Sequence, residues 1–142
     1  MKRVVVLLSV MLGLFAVSVT STIVSALPAG AQHMNMDACE ATCRKCQKVC
    51  EETLAYCKKK GGKYAEEKHV NTLKDCILSC KTSADFLSRN SANHMKSCGF
   101  CASICKVCAE SCDTFADDKK MKDCAAECRK CAESCEKMSN MK

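Results

Sequence analysis

From Asp37 onward the chain repeats one pattern: an apolar residue or a cysteine every three or four positions, with Lys, Glu, Asp, Ser and Asn filling the intervals. That period belongs to a helix with one buried stripe. Asp37 followed by Glu40 forms a capping-box start, and the pattern predicts a first helix running to about Lys60, where Gly61-Gly62 stops it. A second helix is expected from about Tyr64 to Arg89, broken by Asn90-Ser91. A third runs from about Ala92 to Phe115. Asp117 caps a fourth that continues to about Ser139. Helices of about 24 residues are about 36 Å long. Connections this short make sequential helices antiparallel neighbours. The fold class expected is all-α: an antiparallel up-down-up-down four-helix bundle with a cysteine-lined core.

The first residues follow a different pattern. Lys2 and Arg3 precede an almost wholly apolar or small stretch, Val4 to Val24, and Ala29-Gly30-Ala31 supplies a small-x-small cleavage signal before Gln32. This predicts a secretory signal peptide over 1–31, a mature domain over 32–142, and an exported, periplasmic or extracellular protein. A retained membrane anchor is the competing reading, since the stretch approaches spanning length; Ser18, Thr20, Ser21, Thr22 and Ser25 weaken it, and removal of the leader leaves no stable membrane insertion. The absence of an Arg-Arg pair points to the general secretion route, and no cysteine stands near the cleavage signal to suggest a lipoprotein. The formal net charge is +6, of which Lys2 and Arg3 supply part. The remaining charges are interspersed, with no basic stripe, so nucleic acid is not an expected partner.

Sixteen cysteines change the picture. In a small exported chain the default is a disulfide scaffold. Such scaffolds are loop-rich, yet the one proline, Pro28, falls in the leader, and only Gly61, Gly62 and Gly99 remain after it. The spacing is regular. Cys39, Cys43, Cys46 and Cys50 repeat in the same 4-3-4 register as Cys124, Cys128, Cys131 and Cys135; Cys98, Cys101, Cys105, Cys108 and Cys112 run 3-4-3-4; Cys57 extends the first helix, and Cys76 and Cys80 serve the second. Cysteine thus takes the seam positions that leucine or isoleucine usually fills.

Two residues at i and i+4 on a helix have Cβ atoms about 5–6 Å apart, whereas a disulfide needs about 3.8 Å. Bridges within one helix are therefore excluded, while bridges between facing helices stay open as an alternative. A linear sulfur–metal–sulfur unit spans about 4.6 Å, which rotation of i and i+4 side chains can meet. Copper(I) is soft, favours thiolate and thioether, and shares ligands between neighbouring sites. Zinc-thiolate storage is the rival: it wants four thiolates per ion, which leaves a heavily negative core, while about one copper(I) per cysteine leaves it near neutral. The expected load is on the order of 10–20 copper(I) ions per chain. Iron–sulfur clusters fit less well, their usual runs lying in loops.

The same register adds Met36, Met121, Met138, His94 and, through the 4-3-4 series His69, Leu73, Cys76 and Cys80, His69 as candidate ligands. The topology gathers His33, Met34, Met36, His94, Met95, Met138 and Met141 at one end, where thioethers and imidazoles could pass copper(I) inward; His69 falls toward the other. Met as core filler is the plainer alternative. Val70, Ile77, Leu78, Phe100, Ile104 and Val107 lie off the seam, as flank packing or an oligomer face. No Ser–His–Asp or Cys–His arrangement stands out among three histidines, so an enzyme is not expected.

With CEATCRKCQKVC, CILSC, CGFCASICKVC and CAAECRKCAESC in view, the chain resembles the copper storage proteins, over about Asp37 to Ser139. The resemblance implies copper(I) held by thiolates inside the bundle, a methionine- and histidine-bearing open end, copper donors and acceptors as partners, and assembly into a homotetramer. Exported members typically carry a twin-arginine leader, from which Lys2-Arg3 departs.

Overall fold

A computed structural model describes residues 29–141. Residues 1–28, which carry most of the expected leader, lie outside the described residues, as does the side chain of Met34. Four α-helices follow one another: α1 Ala29–Lys60, α2 Glu67–Ser88, α3 His94–Asp113 and α4 Lys119–Ser139. A short 3-10 turn, Gly62–Ala65, separates the first two. Each helix packs against two others, α1 against α2 and α4, α3 against α2 and α4, in an antiparallel up-down-up-down ring.

The helix ends differ from the sequence expectations for local reasons. Asp37 is not a cap: it lies inside α1, which already includes the residues from Ala29 on. Ala29-Gly30-Ala31, read above as a cleavage signal, is helical and part of α1. Gly61 and Gly62 do end α1, with φ of 72° and 54° in the left-handed region that glycine enters without strain. They are followed by the 3-10 turn rather than by α2, so α2 begins at Glu67 instead of Tyr64. Asn90, at φ 51°, makes the turn between α2 and α3.

Asp118, and not Asp117, caps α4. Its carboxylate accepts from the Lys120 and Met121 amides, at 2.9 and 3.3 Å. The other oxygen accepts from Tyr56 Oη and Lys60 Nζ, both at 2.6 Å, which fastens the end of α1 to the start of α4. Lys60 and Tyr56 hold this carboxyl well below the usual carboxylate range. A cap of this kind stabilises a helix by about 1 kcal/mol. Further ion pairs clasp the helices from outside: Lys45–Glu127 at 2.8 Å and Lys120–Glu52 at 2.9 Å join α1 to α4, and Arg129–Asp113 and Lys106–Glu136 join α3 to α4.

The core is unusual in content. All sixteen cysteines are buried, and the large apolar side chains sharing the interior are few: Leu73, Leu87, Phe115, Met121 and Met138. Ala102 and Ala109 on α3, and Ala125 and Ala132 on α4, each follow a seam cysteine and are buried too. Residues this small beside the seam let helices approach until sulfurs meet on the axis. No described helix is long and apolar enough to cross a membrane.

Candidate metal centre

The sixteen thiols are all free. Their sulfurs do not pair off; they form a continuous chain. Cys76 on α2 shows the pattern: its Sγ lies 3.7 Å from Cys50 on α1, 3.8 Å from Cys105 on α3 and 4.0 Å from Cys128 on α4. Sulfur–sulfur contacts along the core fall between 3.4 Å, for Cys43–Cys135, and 4.0 Å, for Cys39–Cys135. Sulfurs sharing one ion at about 2.3 Å stand about 4.0 Å apart around a three-coordinate ion and about 3.8 Å apart in a tetrahedron. The thiols therefore stand at metal-bridging separations already. They are far from disulfide geometry, so the disulfide-stapled alternative is not favoured.

Groups of sulfurs lying within 4.8 Å of one another run down the axis: Cys39, Cys98 and Cys135; then Cys43, Cys101, Cys131 and Cys135; then Cys46, Cys80, Cys105 and Cys131. Below them come Cys46, Cys50, Cys76 and Cys128, then Cys50, Cys108, Cys124 and Cys128. Successive groups share Cys135, Cys131, Cys46, and finally Cys50 with Cys128. Separate zinc tetrathiolates need private ligands, and the overlap leaves these for only two of the four four-sulfur groups at once; soft monovalent ions that share thiolates can use every group. The sequence spacing drew attention to pairs within one helix. In the folded chain Cys101–Cys105, at 3.8 Å, is such a pair, but most contacts join different helices.

Burial and sulfur–sulfur hydrogen bonding set the protonation of this network. Burial pushes the Cys57 thiol up to about 11. Contacts with Cys108 and Cys124, with burial added, push Cys112 well above the usual thiol range. Cys124 moves the other way, because Cys108, Cys112, Cys128 and Cys50 surround it as S–H donors. Neighbouring sulfurs thus hold their protons with opposite tendencies, some raised and some lowered by the thiols around them.

The non-cysteine candidates separate. Met121 and Met138 are buried in the core, and Met36 packs against it half-buried. Met138 and Met141 line a cavity of about 300 Å³ between the α1 and α4 ends, with Asn35, Ala38, Ser134 and Lys137. Met95 is exposed, and His33 lies at the surface 3.7 Å from Asp37. His94 is half-buried with Nδ1 2.7 Å from the Ser91 carbonyl oxygen, so it serves the start of α3. His69, at the opposite end, is buried with Nε2 3.6 Å from Cys57 Sγ. The sequence reading missed Thr53, a fully buried seam residue between Cys50 and Cys57. Its hydroxyl donates to the Val49 carbonyl oxygen at 2.7 Å, so no polar group is left over. The seam register alone points to Thr53. It missed Ser111 as well, which no spacing signals.

A family model described as copper storage protein matches residues 32–140. Among solved structures, the chain is similar to a Nitrosospira multiformis protein, with 35% identity over 77% of this chain and 98% of that one, TM-score 0.71. It is similar to the Cu(I)-bound form of a Bacillus subtilis copper storage protein, with 25% identity over 74% and 98% of the two chains, TM-score 0.69. A third is a Streptomyces lividans protein described as a cytosolic copper storage protein loaded with five coppers: 24% identity, 78% of this chain and 96% of that one, TM-score 0.68. No curated protein matches the chain significantly. The Streptomyces lividans description corrects the expectation of an exported, periplasmic or extracellular protein.

Proposed function

The chain belongs to the copper storage protein family, and on that premise we propose that it holds many copper(I) ions as thiolate complexes along the axis of its bundle. The observation that carries this reading is the overlap of the sulfur groups through Cys135, Cys131, Cys46, Cys50 and Cys128. A chain of shared ligands holds more ions than a set of isolated sites, and one positive ion per lost thiol proton keeps the interior near neutral. The ligands proposed are the sixteen cysteines, with Met36 and Met138 at the end where α1 begins. The storage unit is residues 32–142, whose start coincides with that of the family match. Donors and acceptors of copper(I) are its partners, and we read it as a store rather than a catalyst.

Anaerobic titration of the reduced chain with copper(I), read by native mass spectrometry, is expected to saturate on the order of 10–20 ions per chain. Saturation at one or two ions would remove the storage reading.

Assembly is part of the proposal. Leu78, Phe100 and Val107 are 64, 63 and 51% exposed on α2 and α3, and Leu78 and Phe100 share a groove with Ile104. A cluster of large apolar side chains on one face marks an interaction surface, which we assign to a homotetramer of the family's kind. Phe100→Lys with Leu78→Lys is expected to lower the sedimentation mass to that of a smaller species, with copper capacity per chain unchanged. An unaltered mass would place the interface elsewhere.

A further inference from the structure

The four seams of the bundle are not fastened alike. Lys45–Glu127, Lys120–Glu52 and Lys60–Asp118 clasp α1 to α4. Arg129–Asp113 and Lys106–Glu136 clasp α3 to α4, and Arg44–Asp85, at 3.4 Å, reaches from α1 to α2. Among the described residues no ion pair joins α2 to α3. The polar links across that seam are slight. Ser83 Oγ donates to the Ser97 carbonyl oxygen at 3.1 Å and lies 2.7 Å from Ser97 Oγ, and His69 Nδ1 lies 2.7 Å from Ser111 Oγ. Two grooves run between the same helices. One, of about 380 Å³, separates Lys68 and Thr72 from Val107 and Ser111. The other, of about 370 Å³, separates Leu78 and Thr82 from Phe100 and Ile104.

The ends of α2 add to this. It follows Gly61 and Gly62, and no side chain caps its first turn. It stops at the left-handed Asn90. A few loop residues at each end of a helix are enough to hinge it. Behind the seam lie the middle thiols. Cys80 of α2 is 3.6 Å from Cys105 and 3.7 Å from Cys101 of α3, and Cys76 of α2 is 3.8 Å from Cys105. All four are fully buried, so solvent does not reach them in the resting frame. A helix with few links to its neighbour and open grooves beside it parts locally far more often than the whole domain unfolds.

We propose that the α2–α3 seam is a lateral gate: α2 swings away from α3 while α1, α3 and α4 stay clasped, and copper(I) reaches the middle of the thiol chain from the side. The inference rests on the storage reading above and adds a route and a lock to it. An ion that displaces thiol protons and binds Cys76 or Cys80 together with Cys101 or Cys105 ties α2 to α3, where no ion pair does so. The gate therefore moves freely in an empty chain and stiffens as the middle groups fill, so that ions bound there are kept. The parting is transient, and the chain closes to the same frame whether empty or full.

Two measurements on the full chain, reduced and anaerobic, test this. First, the metal-free chain is pulse-labelled with iodoacetamide, and the rate at each cysteine, read by peptide mass spectrometry, is divided by its rate in denaturant. Cys76, Cys80, Cys101 and Cys105 are expected to react about tenfold or more faster than Cys46, Cys124 and Cys128, which are equally buried on α1 and α4. Ser83→Ala removes a hydrogen bond across the seam and is expected to raise those four rates about fivefold, leaving the others unchanged. Since the same face is assigned above to assembly, the Phe100→Lys, Leu78→Lys variant is labelled as well, and the same order is expected with no copy over the seam. Cys39 and Cys112, near the ends, reacting first, or one common rate for all sixteen, in wild type and this variant alike, would overturn the gate. Second, amide hydrogen exchange along α2 is followed as copper(I) is added, and is expected to slow about tenfold before saturation. Unchanged exchange in a chain that fills with many ions would overturn the lock. Failure of the chain to fill would instead strike the storage reading, while the labelling order of the empty chain still decides the gate.

Discussion

Serine in place of Cys50 and Cys128 together is expected to lower copper(I) capacity about twice as much as serine in place of Cys39 and Cys98. Both pairs remove two sulfurs, so a store of independent sites would lose the same number of ions either way. The pairs differ in position. Cys50 and Cys128 each belong to two overlapping groups, while Cys39 and Cys98 belong only to the terminal one. A sulfur that bridges two ions takes both with it. The substitution is otherwise mild, since serine is close to cysteine in size and its hard hydroxyl is a poor ligand for a soft ion. Native mass spectrometry of anaerobically loaded variants reads the count, with circular dichroism checking helicity. Equal losses from the two pairs would mean that each ion has private ligands and that the overlap of groups is only close packing.

Loading is expected to release about one proton per copper(I), and binding to weaken about tenfold for each unit by which pH falls. The sign follows from the apo thiols. Burial raises Cys57 to about 11, and Cys112 is raised further by Cys108, Cys124 and burial. Such groups are protonated at neutral pH, and an ion must displace each proton to gain a thiolate. Lowering pH favours the displaced proton, so affinity falls with it. Zinc held by four thiolates would release about four protons per ion, so an unbuffered pH-stat titration separates the two metals' modes. A value near four would favour tetrathiolate sites over a shared chain.

Much of this architecture is legible in the spacing of one residue type. Cysteine at 3-4 intervals marks the inward stripe of each helix, and every one of those residues is buried. The ends are less legible. Glycine signals the close of α1 because its φ freedom is needed there, but Asp37 and Asp117 resemble caps that the chain does not use. Choosing Asp118 over Asp117 depends on Tyr56 and Lys60, which reach it from α1. The same limit applies at the metal centre. Register places His69 and His94 alike, one turn from the first seam cysteine or leucine of their helices. Tertiary partners then separate them: His69 turns to Cys57 and Ser111, and His94 to a backbone carbonyl. Contacts across the bundle, which make the sulfur groups, arise from how close four helices come when alanine and cysteine replace leucine. No one-dimensional pattern states that distance.

The separation of the core sulfurs has a consequence for how such a vessel works. At 3.4 to 4.0 Å they already stand where bridged ions would hold them, and the clasps Lys45–Glu127, Lys120–Glu52 and Lys60–Asp118 sit on the outside, away from any cargo. Filling and emptying then require no lasting expansion of the frame.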